Sequence, residues 1–375
     1  MSSTRLASPL AVGKMQLKQR IAMAPLTRFR ATVEHVPNDL MLEYYSQRAS
    51  VPGTLLITEA TFMSPKAGGY NNVPGIYNAD QVKAWRKITD AVHARGSYIY
   101  CQLWHLGRAA KKSVADSEGF KVVSSSAVPL SEEGSAVPEA LTVDEIRQTV
   151  QDYVTAAKNA IEAGFDGVEV HGANGYLIDQ FIQDTCNKRT DDYGGSIENR
   201  SRFAVEVVTA VSQAVGPERT GLRLSPFSVF QDMRMADPIP QFSDIIRKIS
   251  PLNLAYLHVV APDIAGNANV SCPSTDSLDF VVDLWSQPLL VAGNMTEEAA
   301  KKLVEVEYPS KDVIAVFGRY FIANPDLPFR VLNSIPLNPF NPATFYSQSP
   351  VGYVDQPFSK EFEAKYGVQA QQLRN

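Results

Sequence analysis

The segment from His171 to Tyr176 carries three side chains that could act together on a polarised double bond. It reads His171-Gly-Ala-Asn174-Gly-Tyr176 and comes directly after a strand-like run. His171 and Asn174 are neutral hydrogen-bond donors that could stabilise a developing oxyanion, and Tyr176 is a weak acid that could deliver a proton. The combination indicates reduction or isomerisation of an activated double bond, provided that the rest of the chain supplies a scaffold and a source of hydride.

The scaffold is predicted from short apolar runs that alternate with longer amphipathic segments. With 375 residues, the chain could form two domains or one large α/β barrel. The predicted strands are Arg20–Pro25, Thr54–Phe62, Tyr98–Trp104, Gly167–His171, Gly221–Ser225, Tyr256–Val260, Leu289–Ala292 and Val313–Phe317. Helical patterns lie between them, and Thr142 and Glu145 have capping-box spacing at one helix start. This alternation predicts an α/β fold, a (β/α)8 TIM barrel that forms a single domain over residues 1–375. A doubly wound sheet fits less well, because no GxGxxG follows the first strand.

Two stretches depart from the alternation. Residues from about 106 to 140 follow the third predicted strand, at the end where barrel active sites lie, and we expect them to form a cap. Residues from about 336 to 375 place aromatics among Pro and Asn, which predicts an irregular wrap over the barrel.

Side chains two positions apart on a strand share a face, and this rule groups several polar residues. Gln102 and Trp104 share a face of the third strand, Glu169 and His171 share one of the fourth, and Arg223 lies on the fifth. If these faces point inwards, the upper end of the barrel has a polar and aromatic layer suited to a ligand site. Taken singly, Trp104 could be core, His171 a structural histidine, and Arg223 an ion-pair partner of Glu169.

The loops after the seventh and eighth predicted strands could bind a phosphate, as they commonly do in this type of barrel. Gly293 and Gly318 each follow an apolar run, where backbone N–H groups can approach an anion closely. Asn294 comes next in the first loop, and Arg319 adds a guanidinium suited to phosphate in the second.

Composition argues against several other classes. A net charge of −5 makes nucleic acid a poor partner. No apolar run approaches a membrane span, and the N-terminus lacks the apolar core of a secretory signal, so a cytoplasmic location is expected. The chain has three cysteines, Cys101, Cys186 and Cys272. They contain no CxxC pair, and three is an odd number for a disulfide framework, so free thiols in a reducing compartment are expected. The five histidines lack the spacing of a metal site.

Together these segments resemble the Old Yellow Enzyme family of FMN-dependent ene-reductases, from about residue 10 to 358. The resemblance rests on several motifs in order along the chain. They are Met23–Arg28, Glu43–Arg48, Leu56–Glu59, Gln102–Arg108, His171–Phe181, Asn187–Arg200 and Phe317–Arg319.

The resemblance implies noncovalent FMN at the top of the barrel, with NADPH or NADH as reductant. The implied flavin contacts are Pro25, Thr27, Ala60, Gln102 and Arg223, with Thr27 on flavin O4 and Arg223 beside N1 and O2. The implied phosphate contacts are Gly293, Asn294, Gly318 and Arg319. The implied substrate pocket is shaped by Trp104, Tyr346 and Phe230.

The resemblance also implies a reaction. Flavin N5 would pass hydride to the β-carbon of an enone, enal or nitroalkene. His171 and Asn174 would hydrogen-bond the carbonyl or nitro oxygen, and Tyr176 would protonate the α-carbon. The partners would then be this small molecule and the reductant, and the protein would be a monomer or a homodimer.

Within the family, Thr27 and Trp104 resemble the yeast and plant branch. Residues 45–54 and 74–76 resemble fungal members, including those of ergot alkaloid synthesis that act on chanoclavine aldehyde. In that subgroup a Tyr at the position of Tyr176 goes with reduction and a Phe with isomerisation. An aldehyde reductase or isomerase of fungal secondary metabolism is thus an alternative. A flavin-free barrel lyase would need a Schiff-base Lys or a metal site, and a noncatalytic flavin or steroid binder would not need Tyr176.

Overall fold

Eight parallel strands close into a barrel in this computed structural model, which describes residues 4–262 and 276–367. The strands are β1 Ile21–Met23, β2 Leu55–Ile57, β3 Tyr98–Trp104, β4 Gly167–Gly172, β5 Thr220–Leu224, β6 Tyr256–Val260, β7 Leu289–Ala292 and β8 Val313–Phe317. Each pairs with the next in chain order, and β8 pairs with β1. All eight predicted strands and the (β/α)8 barrel are therefore confirmed.

Helices follow the strands and cover the outside of the barrel. They are α1 Asp39–Arg48, α2 Ala79–His93, α3 Val143–Glu162, α4 Ile197–Val215, α5 Ile239–Ile249, α6 Asp279–Leu284, α7 Glu297–Lys302 and α8 Leu327–Leu332. The predicted capping box begins α3: Glu145 N donates to Thr142 Oγ1 at 3.3 Å, and Thr142 N donates to Glu145 Oε2 at 2.8 Å. None of the helices in the described ranges is long and apolar enough to cross a membrane.

A hairpin of Leu10–Val12 and Met15–Leu17 lies at the lower end of the barrel. Its apolar side chains pack in one cluster with the inward-facing Tyr100 and Tyr256. The lower half of the barrel is therefore packed core, and the space for a ligand lies above it.

The expected cap, residues 106–140, contains structure of its own. A helix spans Lys112–Glu118, and the short strands Val123–Ser124 and Glu139–Ala140 pair in parallel. Apolar side chains of this segment pack against Trp104 at the end of β3. The segment thus lies over the carboxyl ends of the strands, on the side of β3.

The C-terminal residues are bound to the loop after β1 by arginines. Arg28 donates to the carbonyls of Phe345 and Gly352, both at 3.0 Å. Tyr353 stacks on Tyr44 of α1, with ring centroids 4.1 Å apart. The prediction of an irregular wrap is wrong for Lys360–Tyr366, which forms a helix with an N-cap at Ser359.

Arg48 of α1 joins three parts of the chain from inside the protein. Its fully buried guanidinium donates to the carbonyl of Ile322 at 2.6 Å and to that of Tyr353 at 3.2 Å. It also lies 3.6 Å from the ring centroid of Tyr44. Burial lowers the pKa of Arg48 to about 10, so it remains charged at neutral pH.

Arg48→Met should lower the free energy of unfolding by roughly 3 kcal/mol, because buried carbonyls lose their donor. Chemical unfolding at pH 7 measures this. Arg147→Met is the matched control, because Arg147 is exposed on α3 and pairs with Asp144 at 2.9 Å. It should change stability by less than about 0.5 kcal/mol. Equal losses in both variants would contradict the structural role of Arg48.

Candidate active site

A cavity of about 970 Å³ opens at the carboxyl ends of the strands. Every residue predicted for the site lines it, whether from a strand, a loop or the C-terminal segment. They are Pro25, Thr27, Ala60, Gln102, Trp104, His171, Asn174, Tyr176, Arg223, Phe230, Gly293, Asn294, Gly318, Arg319 and Tyr346. The predicted strand parity is also right, since Cys101 points into the outer core and its neighbour Gln102 into the cavity.

The floor of the cavity is a buried polar layer centred on Glu169 of β4. Gln102 Nε2 donates to Glu169 Oε1 at 2.7 Å, and His258 Nδ1 donates to Glu169 Oε2 at 2.8 Å. Glu169 and His258 are both fully buried. The suggested ion pair of Arg223 with Glu169 is not formed by direct contact: the side chain that contacts Glu169 is the neutral His258, and Arg223 acts on Glu169 through its charge.

His258 belongs to this buried layer, although it is not among the residues predicted for the site. The parity rule could have found it, because Tyr256 and His258 share a face of β6 just as Gln102 and Trp104 share one of β3. The same rule would then have placed a titratable group opposite Glu169.

Burial and neighbouring groups together determine which side chains of this layer are charged. Burial alone would raise the pKa of Glu169, but His258, Arg223 and Gln102 together lower it below its ordinary value. Burial lowers the pKa of His258, which therefore stays neutral. Arg223 remains the cation of the layer, and its buried Nε has no hydrogen-bond partner among the residues that the structure describes. An orphan donor beside a cavity fits a ligand that accepts a hydrogen bond.

His171 is arranged as a neutral donor. The backbone N–H of Ala173 donates to His171 Nδ1 at 3.3 Å, which leaves the imidazole proton on Nε2. Burial, reinforced by the charges of Arg223 and His258, lowers the pKa of His171 well below its ordinary value. The ring can therefore donate a hydrogen bond without carrying a charge.

Tyr176 lies against His171 and Trp104. Its ring centroid is 5.0 Å from that of His171 and 4.7 Å from that of Trp104, edge to face in both cases. Burial, with smaller contributions from Tyr70 and Tyr346, raises the pKa of Tyr176. The phenol thus remains protonated at neutral pH and can act as an acid.

Asn174 sits in a tight turn whose backbone groups are bonded to side chains. Its φ of 56° is left-handed, a conformation that asparagine tolerates. Its N–H donates to Ser225 Oγ at 2.7 Å, and its carbonyl accepts from Gln231 Nε2 at 3.0 Å. Ser225 and Gln231 hold this turn, and neither is among the residues predicted for the site.

The opposite end of the cavity favours an anion. Gly293, Asn294, Gly318 and Arg319 meet there, at the ends of β7 and β8. Among the described residues that line the cavity, the charged side chains are all cationic, namely Arg28, Lys111, Arg223 and Arg319. Donors without a competing carboxylate suit a phosphate, so the residues present fit FMN. No group of three or more potential metal ligands occurs in the described part of the chain.

The mouth of the cavity is aromatic. Phe29 contacts Tyr70 and Tyr346 edge to face, with ring centroids 6.0 and 5.6 Å apart. Tyr346 is 49% exposed, so it stands at the entrance. Phe230 lines the cavity from the segment after β5. The segment of residues 226–233, which contains Phe230, is described, whereas residues 263–275 after β6, including Cys272, lie outside the described residues.

Comparison with known proteins gives consistent matches along the chain. The profile of the NADH:flavin oxidoreductase / NADH oxidase family matches residues 5–338. Chanoclavine-I aldehyde reductase from Penicillium roqueforti is 55% identical over 364 residues, covering 96% of this chain and 98% of that protein. An NADP-dependent oxidoreductase from Aspergillus flavus is 50% identical over 368 residues, with coverage of 96% and 97%. The crystal structure of Old Yellow Enzyme from Pichia sp. AKU4542 superposes with a TM-score of 0.89 at 41% identity, covering 96% of this chain and 95% of that one.

Glu169→Gln should lower the free energy of unfolding by roughly 2 kcal/mol at pH 7, because the buried donors lose a charged acceptor. The pKa of Glu169 is lowered from 4.5 in the folded protein, so its stabilising effect is present above pH 4.5 and is lost as the pH falls further. The difference in the free energy of unfolding between wild type and variant should therefore become smaller below pH 4.5. Unfolding titrations from pH 3.5 to 7 measure it.

Glu298→Gln is the control, because Glu298 is exposed on α7. It should leave both the stability at pH 7 and its acid dependence close to those of the wild type. A constant gap between wild type and Glu169→Gln across the pH range would contradict the charge role of Glu169.

Proposed function

This chain belongs to the NADH:flavin oxidoreductase / NADH oxidase family and is a flavin-dependent oxidoreductase of Old Yellow Enzyme type, and from this premise we propose that it is an FMN-dependent ene-reductase. Its substrates would be α,β-unsaturated aldehydes, ketones or nitroalkenes. One observation carries the proposal: His171, Asn174 and Tyr176 line the same cavity as Gly318 and Arg319, which would hold the phosphate. Bound FMN, reduced by NADPH or NADH, would supply the hydride.

The residues of this chain would bind and polarise the substrate. His171 and Asn174 would donate hydrogen bonds to the carbonyl or nitro oxygen, where negative charge develops. The neutrality of His171 supports a donor role, because its proton stays on Nε2. Trp104, Tyr346 and Phe230 would exclude water and orient the substrate.

Tyr176 would hold the proton for the α-carbon. Its pKa is raised by burial, so the phenol is fully protonated at neutral pH. Its ring lies 5.0 Å from His171, so the acid and the oxygen-binding donor would contact the same substrate. Tyr176 supports reduction, since the proton completes the saturation of the double bond.

At the cofactor, Arg223 would lie beside N1 and O2 of the flavin, and Thr27 would bind O4. The orphan Nε of Arg223 supports the first assignment. Pro25, Ala60 and Gln102 would line the ring, and Gly293, Asn294, Gly318 and Arg319 would hold the phosphate. A preference for NADPH is supported by the NADP-dependent oxidoreductase from Aspergillus flavus, which is 50% identical to this chain.

A reductase for an alkaloid-type aldehyde is the second candidate. The relative named chanoclavine-I aldehyde reductase supports it through 55% identity across nearly the whole chain. The aromatic mouth formed by Phe29, Tyr70 and Tyr346 also suits a large ring system.

Purified protein should be yellow, should bleach with NADPH, and should recolour without oxygen when 2-cyclohexen-1-one is added. Absorbance of the flavin band measures each step. A colourless protein that cannot bind FMN would favour the flavin-free lyase, and a yellow protein that never recolours would favour a flavin binder without activity.

Chanoclavine-I aldehyde in the same panel separates the two candidates, since an alkaloid reductase should recolour at least about tenfold faster with it.

Tyr176→Phe should leave bleaching by NADPH unchanged and slow recolouring by about 100-fold or more, because only the proton donor is lost. Stopped-flow absorbance measures the two half-reactions separately. Tyr70→Phe is the matched control, since Tyr70 lines the same cavity and should retain both rates. If Tyr176→Phe slowed bleaching and recolouring equally, the role of Tyr176 as proton donor would be contradicted.

A further inference from the structure

Asp179 is a fully buried carboxyl outside the cavity lining. It lies on the short helix Leu177–Ile182, which begins directly after Tyr176. Burial raises the pKa of Asp179 to about 7, against the opposing effects of Gln183, Gly175 N–H, Arg108 and Ser225. A carboxyl this costly to bury needs hydrogen-bond donors, and two of them, Gly175 N–H and Gln183, connect Asp179 to the walls of the site.

The first partner is the turn that carries the predicted donors. Gly175 N donates to Asp179 Oδ2 at 2.8 Å. Gly175 has a φ of 73°, and a Cβ there would lie 2.7 Å from Gln231 Cβ, so the turn is also tightly packed. Asp179 therefore binds the middle residue of the turn between Asn174 and Tyr176.

The second partner is Gln183, which links Asp179 to the segment after β5. Gln183 Nε2 donates to Asp179 Oδ1 at 2.8 Å, and Gln183 Oε1 accepts the backbone N–H groups of Arg234 at 2.7 Å and Met235 at 3.1 Å. In the same segment, Gln231 and Asp232 have φ values of 57° and 59°. These left-handed residues do not follow from local preference, so the segment needs tertiary contacts to hold its shape.

We propose that Asp179 is a positioning residue that, together with Gln183, sets the relative position of the Asn174–Tyr176 turn and the 230–235 segment. The proposal rests on the proposed function for the roles of Asn174, Tyr176 and Phe230. Asp179 contacts none of the reacting groups itself. It accepts one hydrogen bond from the turn, at Gly175 N, and one from Gln183, which in turn accepts from the 230–235 segment.

In the ionised form of Asp179, which predominates above its pKa of about 7, both oxygens act as acceptors. An asparagine offers one acceptor and one donor, so its amide N–H would face either Gly175 N–H or the Gln183 amide N–H. Rotating the Gln183 amide does not remove the conflict between two donors, because the amide nitrogen of Gln183 would then face the N–H groups of Arg234 and Met235. A buried donor is left unsatisfied in every arrangement.

Exchange of the two side-chain types restores every bond. In the double variant Asp179→Asn/Gln183→Glu, the asparagine oxygen accepts from Gly175 N–H and its nitrogen donates to the glutamate. The glutamate then accepts from Arg234 and Met235 with its other oxygen. Net charge and side-chain sizes are unchanged, so the double variant tests this hydrogen-bond pattern and nothing else.

Other charged groups near Asp179 are held elsewhere. Arg108, from the cap, donates to the carbonyl of Gln231 at 2.9 Å. Arg234 pairs with Asp276 at 2.7 Å, and Asp232 accepts from Ser131 at 2.6 Å. Burial lowers the pKa of His105 to about 3, so it adds no charge.

The test compares FMN-loaded wild type, Asp179→Asn and the double variant by hydrogen exchange of the peptides that span 173–177 and 231–236. Asp179→Asn should speed exchange in both peptides at least about tenfold, and the double variant should return to within about threefold of wild type. Asp326→Asn is the matched control. Asp326 is an equally buried carboxylate that accepts from Arg330 at 2.7 Å, outside the cavity lining, and its loss should leave both peptides unchanged.

A kinetic readout separates positioning from simple packing. Asp179→Asn should slow enone-driven recolouring about tenfold and leave bleaching by NADPH unchanged, with recovery in the double variant. Unchanged exchange in Asp179→Asn, a double variant as impaired as the single one, or faster exchange without slower recolouring would each overturn the proposal. If the wild type itself never turns over an enone, the proposed function fails, whereas the exchange data still decide the role of Asp179.

Discussion

The structure of the site depends on the burial of one carboxylate, Glu169, inside the barrel. A buried charge must be met by donors on every side. Glu169 meets them by accepting from Gln102 on β3 and from His258 on β6, two strands away across the interior. The parallel register places Gln102 beside Glu169 and Arg223 beside His171. A shift of one residue would turn Cys101 or Leu222 inwards instead, so the register and the polar layer determine each other.

Above this layer, the loops keep their shape because side chains satisfy their backbone groups. Gln180 Nε2 donates to the carbonyls of Gly175 at 2.8 Å and Leu106 at 3.1 Å, which joins the turn after β4 to the cap. Arg28 likewise donates to the carbonyl of Gly352 in the C-terminal segment. Arg189 donates to the carbonyls of Ser125 in the cap and of Leu141 next to it. Buried loops lack the regular pairing of a sheet, and such long polar side chains replace it.

The sequence predicted the strands and the inward-facing residues because a strand has a period of two residues, and one polar position locates the others. Elements defined by contacts between distant residues were not predictable in this way. The helix Lys112–Glu118 has few apolar positions, and the six-residue helix after Tyr176 buries Asp179 and Gln180, residue types that are usually exposed. The burial of Gln180 follows from partners far along the chain, such as Arg108 and Ser124. Local propensity carries no information about those partners.

The protonation states of His171 and Tyr176 have a common cause. Burial is the largest cause in both cases: it lowers the pKa of His171 and raises the pKa of Tyr176. The charge of Arg223 lowers the pKa of His171 further and opposes the rise for Tyr176. Both side chains are consequently neutral donors at neutral pH. On the proposed function, a phenol with a raised pKa gives up its proton only to a strongly basic atom, such as a carbon that has just gained negative charge. Proton delivery by Tyr176 would then follow charge development at the substrate, and the burial that weakens the acid would also set the order of the two steps.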